Sequence, residues 1–532
     1  MKSFPFLFGA LMLTTLLQAQ LVTGEDIAVA NTENGQVRGY LHNTIFTYKG
    51  IPYAVAKRFE TPVKPQPWTG IRSSLTYGPV APLVDPTTAV MDESEFVFHH
   101  DWGYTSEDCM RLNIWTPALD GKKRPVLFWM HGGGFTAGSS QELPSYDGES
   151  LAKSGDVVVV SINHRLNILG FLDLSAYGDQ FKTSANNSIL DLVMALQWVR
   201  DNISNFGGDP GNVTIFGQSG GGAKVNTLMA MPMARGLFQK AINQSGAIRS
   251  EMFEKPVTQS IGAAVLEELN IGPGDIARIQ EIPFDQLAAA GKKALKKVGD
   301  QLKAEGKTLS AFGLNWGPSI DGAVLPYQLF SDQAIQLSKD IPLLIGTVKN
   351  EFMASLGSGM THASMDEVVA VIKKQRGDKA DAYLAAVKEA FPHPAMPSDL
   401  MDVDVLFRPG SVFEANTKSA VTGGAPVYMY LFTWQSPVMN GKYKALHCME
   451  LPFVFNNIAR CEEMTGGGPE AYVLAKQVSQ AWIQFARTGN PNHAGLPNWE
   501  AYTQANGTTM FFDNECTIRH HHDQALLKLI QP

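Results

Sequence analysis

Uninterrupted apolar runs of strand length recur along the chain. A run without polar alternation is typical of a strand in a parallel sheet, because helices cover both faces of such a sheet. We therefore predict central strands at residues 126–130, 157–162, 213–216, 343–345 and 427–432.

Helical patterns lie between these runs. Alternation of strands and helices predicts an α/β fold with a mostly parallel sheet. Residues 250–340 and 355–420 are mainly helical in pattern, and we predict that they are insertions above the sheet that shape a pocket. In the clearest helix, the apolar residues are three or four positions apart, as on a helix that rests on a sheet. They are Ile189, Leu192, Val193, Leu196, Val199 and Ile203.

The chain has 532 residues, of which 44% are hydrophobic, and this is ample for a large core. Its length alone suggests roughly three or four domains. However, no Pro/Ser-rich linker, charge block, low-complexity tract or internal repeat divides it. We predict one α/β domain over residues 20–532.

The N-terminus has the pattern of a secretory signal peptide. Lys2 precedes an apolar run at residues 4–17, and the small Ala19 offers a cleavage site. The run is too short to span a bilayer comfortably, and no other segment is long and apolar enough to do so. We predict a signal peptide at residues 1–19 and a soluble, exported protein, periplasmic or secreted.

The net charge of −8 and the pI near 5.9 argue against nucleic acid and anionic membranes as partners, because both require a basic face. One basic stretch has the spacing of the solvent face of an amphipathic helix, and we prefer that interpretation to a polyanion site. It consists of Lys292, Lys293, Lys296, Lys297, Lys303 and Lys307.

The cysteines and a histidine triplet are candidate structural or metal-binding groups. The four cysteines allow three pairings, which the sequence leaves open, although Cys448 and Cys461 could close a short loop. No C-x-x-C pair indicates zinc, and we interpret residues 520–522 as a solvated tail. The remaining cysteines are Cys109 and Cys516.

Ser219 lies in the sequence Gly-Gln-Ser-Gly-Gly at residues 217–221, between a predicted strand and a predicted helix at residues 221–231. A G-x-S-x-G motif in this context is typical of a nucleophile elbow, in which a tight, strained turn exposes the serine hydroxyl. A serine hydroxyl needs a base, and the base needs a carboxylate that fixes its tautomer.

His447 and Glu351 are candidates for these two roles. His447 lies in a loop after the strand at residues 427–432, and Glu351 follows the strand at residues 343–345. This matches the chain order serine, acid, histidine. By position alone the acid is open, since Asp321, Asp402 and Asp404 compete with Glu351.

A glycine run follows the strand at residues 126–130 in the sequence His-Gly-Gly-Gly-Phe at residues 131–135. Consecutive glycines allow bare N–H groups to converge on one point, as in an HGGG-type oxyanion loop. We predict that Gly133, Gly134 and Gly220 donate to the oxyanion, although a flexible glycine turn is the plainer alternative.

These motifs together resemble the type-B carboxylesterase/lipase family, which includes bacterial para-nitrobenzyl esterases and the cholinesterases. Residues 206–221 match its serine signature and residues 107–115 its second signature. The resemblance extends from about residue 30 to the C-terminus. It implies an α/β-hydrolase fold with large helical insertions over the active site, a small-molecule ester as substrate, and no metal or organic cofactor.

The resemblance also selects the acid. The family's glutamate lies in the pattern P-x-L-x-G-x-x-x-x-E, here residues 342–351, and its histidine precedes an acidic residue and an apolar-Pro pair, here residues 447–452. The implied triad is Ser219, His447 and Glu351. We expect ester hydrolysis through an acyl-enzyme, with activity falling below about pH 6.5 as His447 becomes protonated.

Two kinds of alternative stay open. The same triad would serve a lipid ester, amide, carbamate or thioester, and some members of this fold are non-catalytic adhesion proteins. The natural substrate and the oligomeric state are also open. Large aromatic residues could line a gorge or simply belong to the core; they are Trp102, Phe135, Trp316, Phe407 and Trp434.

Three residues depart from the family pattern. Gln218 replaces a common glutamate beside the serine, and Ser188 replaces a usual glycine. Cys109 lacks a cysteine about 25 residues upstream, where Pro82 and Leu83 stand, and this makes a disulfide there doubtful.

Overall fold

A computed structural model describes residues 21–84, 92–247, 251–309 and 313–530. The predicted signal peptide lies outside the described residues. Within them, twelve strands form one sheet in the order β1-β4-β5-β7-β9-β8-β10-β11-β14-β15-β16-β17. Two small sheets, β2-β3-β6 and β12-β13, complete the strands. The strands are β1 Leu21–Val22, β2 Val29–Thr32, β3 Gly35–Arg38, β4 Tyr40–His42, β5 Ile45–Pro52, β6 Ile71–Ser73, β7 Arg111–Thr116, β8 Arg124–Met130, β9 Val158–Ile162, β10 Gly208–Gln218, β11 Lys240–Gln244, β12 Phe253–Glu254, β13 Ser319–Ile320, β14 Leu343–Val348, β15 Val427–Phe432, β16 Thr508–Phe512 and β17 Thr517–His520.

The centre of the large sheet is parallel. Strands β9, β8, β10, β11, β14, β15 and β16 pair in parallel, and the antiparallel pairs lie toward the two edges. The five apolar runs correspond to β8, β9, β10, β14 and β15. The predicted α/β-hydrolase fold, with a mostly parallel sheet flanked by helices, is confirmed.

Helices pack on both faces of this sheet. The helix predicted from the apolar face at residues 189–203 is α4, and the helix after Ser219 is α5. The helices are α1 Asp92–Val97, α2 Glu149–Gly155, α3 Asn167–Phe171, α4 Asn187–Asn202, α5 Gly220–Met229, α6 Lys255–Glu268, α7 Phe284–Ala304, α8 Asp332–Leu337, α9 Ala354–Ser358, α10 Met365–Arg376, α11 Ala380–Ala390, α12 Phe407–Ser419, α13 Val438–Gly441, α14 Leu451–Val454, α15 Glu462–Thr465, α16 Pro469–Thr488 and α17 Gln524–Ile530.

Two apolar cores, one on each face, hold the sheet. In β8, Phe128 belongs to the core that includes Leu192 of α4, whereas the next residue, Trp129, belongs to the core that includes Trp482 of α16. Successive side chains of a strand point to opposite faces, so one apolar run supplies both cores. This is why the runs show no polar alternation.

The two long segments predicted as helical insertions contain α6 to α8 and α9 to α12. Helices α6 and α7 share a separate core that includes Val265 and Leu287. The lysines of α7 face solvent as predicted, and Lys293 and Lys297 pair with acidic residues of α6 at 3.0 and 2.7 Å.

The histidine triplet is solvated only in part, and His521 is exposed as predicted. His520 ends β17 and is exposed, but the side chain of His522 is only 4% exposed and packs edge-on against Phe511 with ring centroids 4.6 Å apart. Burial lowers the pKa of His522 to about 3. The sequence interpretation was wrong for His522 because the rings of Phe391 and Phe511 pack against it.

All four cysteines are free thiols, including Cys448 and Cys461. Cys109 is fully buried beside Ala81 and Leu166. Among the described helices, none combines the length and apolar character that a bilayer crossing requires.

Candidate active site

Ser219 occupies the turn between β10 and α5. Its backbone has φ 57° and ψ −124°, a strained conformation for a residue with a side chain. Its N–H donates to the carbonyl of Gln244 on the neighbouring strand β11 at 2.8 Å, which holds the turn against the sheet. The serine lines a cavity of about 490 Å³.

The glycine loop after β8 reaches the same cavity. Gly133 and Gly134 have φ of +77° and +62°, the left-handed region that favours glycine. In the described part of the chain, no protein acceptor takes the N–H of either residue. Gly220 begins α5, and a Cβ there would lie 2.3 Å from the carbonyl oxygen of Gly134. The loop and the start of α5 are therefore in direct backbone contact.

Lys224, which no sequence motif identified, links the glycine loop to the start of α5. It is completely buried on α5, and its Nζ donates to the carbonyl of His131 at 2.9 Å. Burial lowers the pKa of Lys224 to about 7, and the buried carboxyl of Glu142 opposes this shift. A lysine within an otherwise small and apolar helix start was the signal in the sequence.

Glu351 and His447 meet across the ends of β14 and β15. The Oε2 atom of Glu351 contacts His447 Nδ1, and its Oε1 accepts from the N–H of Val348 at 3.0 Å. The N–H of His447 also donates to the carbonyl of Glu351 at 3.1 Å. Both the side chains and the backbones of the pair are therefore joined.

The three competing acids have other partners. Asp402 accepts from the backbone and hydroxyl of Ser355, and Asp404 accepts from the first N–H groups of α12. Asp321 accepts from three successive N–H groups of its own turn. None of them contacts the imidazole of His447 among the described residues.

Burial disfavours charge on both members of the Glu351–His447 pair. It raises the pKa of Glu351, against the hydrogen bond from Val348. It lowers the pKa of His447, and the carboxyl groups of Glu450 and Asp404 oppose that shift. A neutral imidazole is the form that can accept a proton.

A buried lysine joins the loop that carries His447 to the segment of residues 399–402. Lys444 Nζ lies 2.7 Å from carboxylate oxygens of both Asp399 and Asp402, and its side chain is completely buried. Asn350, next to Glu351, donates to the carbonyl of Asp402 at 3.0 Å and accepts from the N–H of Ala445 at 3.3 Å. These partners are distant in sequence, and no motif identified them.

Ser219 Oγ makes no hydrogen bond to His447 within the described structure, although both residues line the cavity. The polar group next to His447 Nε2 is instead the side-chain amide of Gln218, whose Nε2 lies 3.2 Å from that nitrogen. The departure at position 218 is thus in contact with the histidine.

The five aromatic candidates divide between site and core. Trp102 lines the cavity and stacks on His100 with ring centroids 4.4 Å apart. Phe407 stacks on His447 at 5.3 Å. Trp434 belongs to the core, whereas Trp316 lines a second cavity of about 780 Å³ against α7. Phe135 is half-buried and packs edge-on against Phe171.

Ser188, the second departure, has its hydroxyl 2.9 Å from His164 Nδ1. His164 in turn stacks on His131 with ring centroids 5.1 Å apart. The side chain of Ser188 therefore contributes to the packing behind the glycine loop.

The fold and this arrangement define the chain as an α/β-hydrolase that acts on carboxylic ester bonds with a serine. The profile of the Carboxylesterase family matches residues 26–529, and the chain belongs to that family. The resemblance inferred from the motifs is confirmed, and the membership implies small-molecule esters as substrates.

Relatives are similar over nearly the whole chain. The para-nitrobenzyl esterase of Bacillus subtilis (strain 168) is 36% identical over 92% of this chain and 96% of its own. The phenmedipham hydrolase of Pseudarthrobacter oxydans is 33% identical over 89% and 92%. The solved structure of an esterase from Clostridium hathewayi, described as able to hydrolyse aliphatic aromatic polyesters, has a TM-score of 0.82 at 37% identity and covers 95% of this chain and 98% of that one.

Proposed function

We propose that the protein is an exported serine carboxylesterase that works through a Ser219–His447–Glu351 triad and an acyl-enzyme. The observation that carries the proposal is that the strained Ser219, His447 and the glycine loop border one cavity, while the buried Glu351 contacts His447 at Nδ1. No other acid of the described residues contacts His447 Nδ1.

In the proposed mechanism, Ser219 attacks the ester carbonyl while His447 Nε2 takes its proton. The N–H groups of Gly133, Gly134 and Gly220 stabilise the oxyanion. His447 then protonates the leaving alcohol and later activates the water that releases the acid. Glu351 orients the ring through Nδ1 and stabilises its cationic form. The Ser219 hydroxyl or the imidazole must rotate to make the first hydrogen bond.

Export and domain organisation belong to the same proposal. We expect the segment 1–19 to be removed on export and residues 20–532 to fold as one domain. N-terminal sequencing of the protein recovered outside the cytoplasm tests the first point. A single cooperative unfolding transition tests the second.

The test of the function is hydrolysis of p-nitrophenyl acetate and butyrate by the mature protein, beside Ser219→Ala. We expect release by the wild type and a loss of kcat of about 10⁵- to 10⁶-fold in the variant. Release that survives the substitution, or a folded wild type that neither turns over nor takes a fluorophosphonate on Ser219, would contradict the proposal. The latter result would favour a non-catalytic binding protein.

The bond class is tested with the same enzyme. Relative kcat/KM for short-chain esters, long-chain lipid esters, carbamates, thioesters and anilides separates a carboxylesterase from the related hydrolases. We expect the short-chain esters to be preferred, because the cavity is about 490 Å³.

A further inference from the structure

The side chain of Gln218 rests on the imidazole of His447. Gln218 Nε2 lies 3.2 Å from His447 Nε2 and 3.4 Å from His447 Nδ1. A point nearly equidistant from the two nitrogens cannot lie in the plane of the ring, because Cε1 stands between them and would collide with it. The amide nitrogen therefore lies against the face of the ring, and the in-plane lone pair of Nε2 remains available to a proton donor.

Cys448 fixes which end of the amide faces the ring. The Sγ atom of Cys448 donates to Gln218 Oε1 at 3.3 Å, and Gln218 is completely buried. Burial raises the pKa of the Cys448 thiol, which keeps its proton on sulfur for this bond. The oxygen of Gln218 thus faces the thiol and its amino group faces His447. When the ring proton is on Nδ1 and directed at an ionised Glu351, Nε2 is unprotonated and is the ring nitrogen nearer to the amino group.

This contact bears on the proton affinity of the ring. A donor group against a neutral imidazole disfavours a positive charge on it, whereas a carboxylate at the same place would favour the charge. The other titratable groups around the ring are Glu351 at Nδ1, Glu450 before α14 and Asp404 before α12, besides the thiol of Cys448. Gln218 is thus a neutral donor in a setting of carboxyl groups.

We propose that Gln218, oriented by Cys448, is a positioning residue that keeps His447 neutral and able to act as a base at lower pH than a glutamate at position 218 would allow. The proposal rests on the proposed esterase function. It adds to that function the group that sets the acid limit of activity.

Gln218→Glu tests the proposal directly. The kcat/KM for p-nitrophenyl butyrate is measured between about pH 4 and pH 8, with release followed at the isosbestic wavelength of p-nitrophenol. We expect the acid limb of the variant to lie about one pH unit above that of the wild type. Coincident acid limbs in two folded enzymes, both titrated with a fluorophosphonate, would overturn the proposal. In that case the proposed esterase function would still stand, provided that the wild type turns over the ester and Ser219→Ala does not.

If Gln218→Glu does not fold, Cys448→Ala provides a second test of the proposal. Without the thiol the amide can turn its oxygen toward His447, so we expect the acid limb to move up by a few tenths of a pH unit. Cys448→Ser retains a donor and should restore the wild-type limb. A residue that served packing alone would change stability or kcat without moving the limb, and an unmoved limb in Cys448→Ala would therefore contradict the proposal.

Discussion

The two halves of the candidate site, one around Ser219 and one around His447, are stabilised by different kinds of contact. Around the nucleophile, backbone lies directly on backbone, and a Cβ on Gly221 would be 2.0 Å from the carbonyl oxygen of Met130. Around the base, charged side chains bridge separate loops, with Lys444 buried between Asp399 and Asp402. The first half has no room for a Cβ at Gly220 or Gly221, whereas the second depends on its charged partners.

The two halves of the site hold their residues in place in different ways. Close backbone contact fixes where Ser219 and the glycine loop lie, because a shift of either would bring backbone atoms into collision. A buried ion network fixes where the acid and the histidine sit, but it leaves uncompensated charge if one member is removed. The four predictions below test the two halves separately.

Glu351→Gln should cause the largest loss of activity. The neutral amide can hold the wrong tautomer of His447 and cannot stabilise its cation, so we expect kcat to fall about 10³- to 10⁴-fold. Steady-state kinetics with p-nitrophenyl butyrate measure it, and Asp321→Asn, whose acid does not contact His447, is the matched control. Equal losses in the two variants would exclude Glu351 as the orienting acid.

Gly220→Ala should damage the other half. The added Cβ would meet the backbone of Gly134 at 2.3 Å and displace an oxyanion donor. We expect kcat to fall at least about 100-fold with the triad intact. Gly121→Ala, where an added Cβ meets nothing within 4 Å, should behave as wild type. Normal kcat in Gly220→Ala would show that the loop does not bind the oxyanion.

Lys444→Met should weaken the ion network. Asp402 loses its cation and Asp399 keeps only Lys349, 4.0 Å away, so we expect the free energy of unfolding to fall by about 3–5 kcal/mol, measured by denaturant titration. Lys296→Met removes an exposed pair with Asp300 and should change stability too little to measure. Similar stabilities of both variants would mean that Lys444 does not hold the loops together.

The smallest expected effect is a shift of the acid limb in the wild-type pH profile, relative to that of an ordinary histidine. Burial lowers the pKa of His447 to about 4, and the base must be neutral, so activity is present above the pKa and is lost as the pH falls through it. We expect the midpoint of the acid limb of kcat/KM below the ordinary histidine value of about 6.5. A midpoint at or above that value would show that the carboxyl groups of Glu450 and Asp404 outweigh burial.

The residues of the half around Ser219 could be identified from the sequence, because they lie in short local motifs. Gly133, Gly134, Ser219 and Gly220 lie in two short motifs, and the apolar runs predicted the strands that carry them, because both sheet faces are buried. The acid stayed one of four until the family resemblance selected Glu351.

What could not be predicted depends on contacts between distant segments. Lys444, Asp399 and Asp402 carry no local pattern, and the contact of Gln218 with Cys448 joins residues 230 positions apart. The prediction that His522 is solvated was wrong for the same reason, since only the folded chain shows that this side chain is buried. Burial of a polar side chain is a property of the whole fold.

The most direct test of the account is to locate the covalent label after reaction with a fluorophosphonate. Peptide mass spectrometry should find it on Ser219 in the wild type, and His447→Ala should react at least about 100-fold more slowly because the base is missing. A label on another residue, or equal labelling rates in the two proteins, would contradict the assignment of Ser219 and His447 as nucleophile and base.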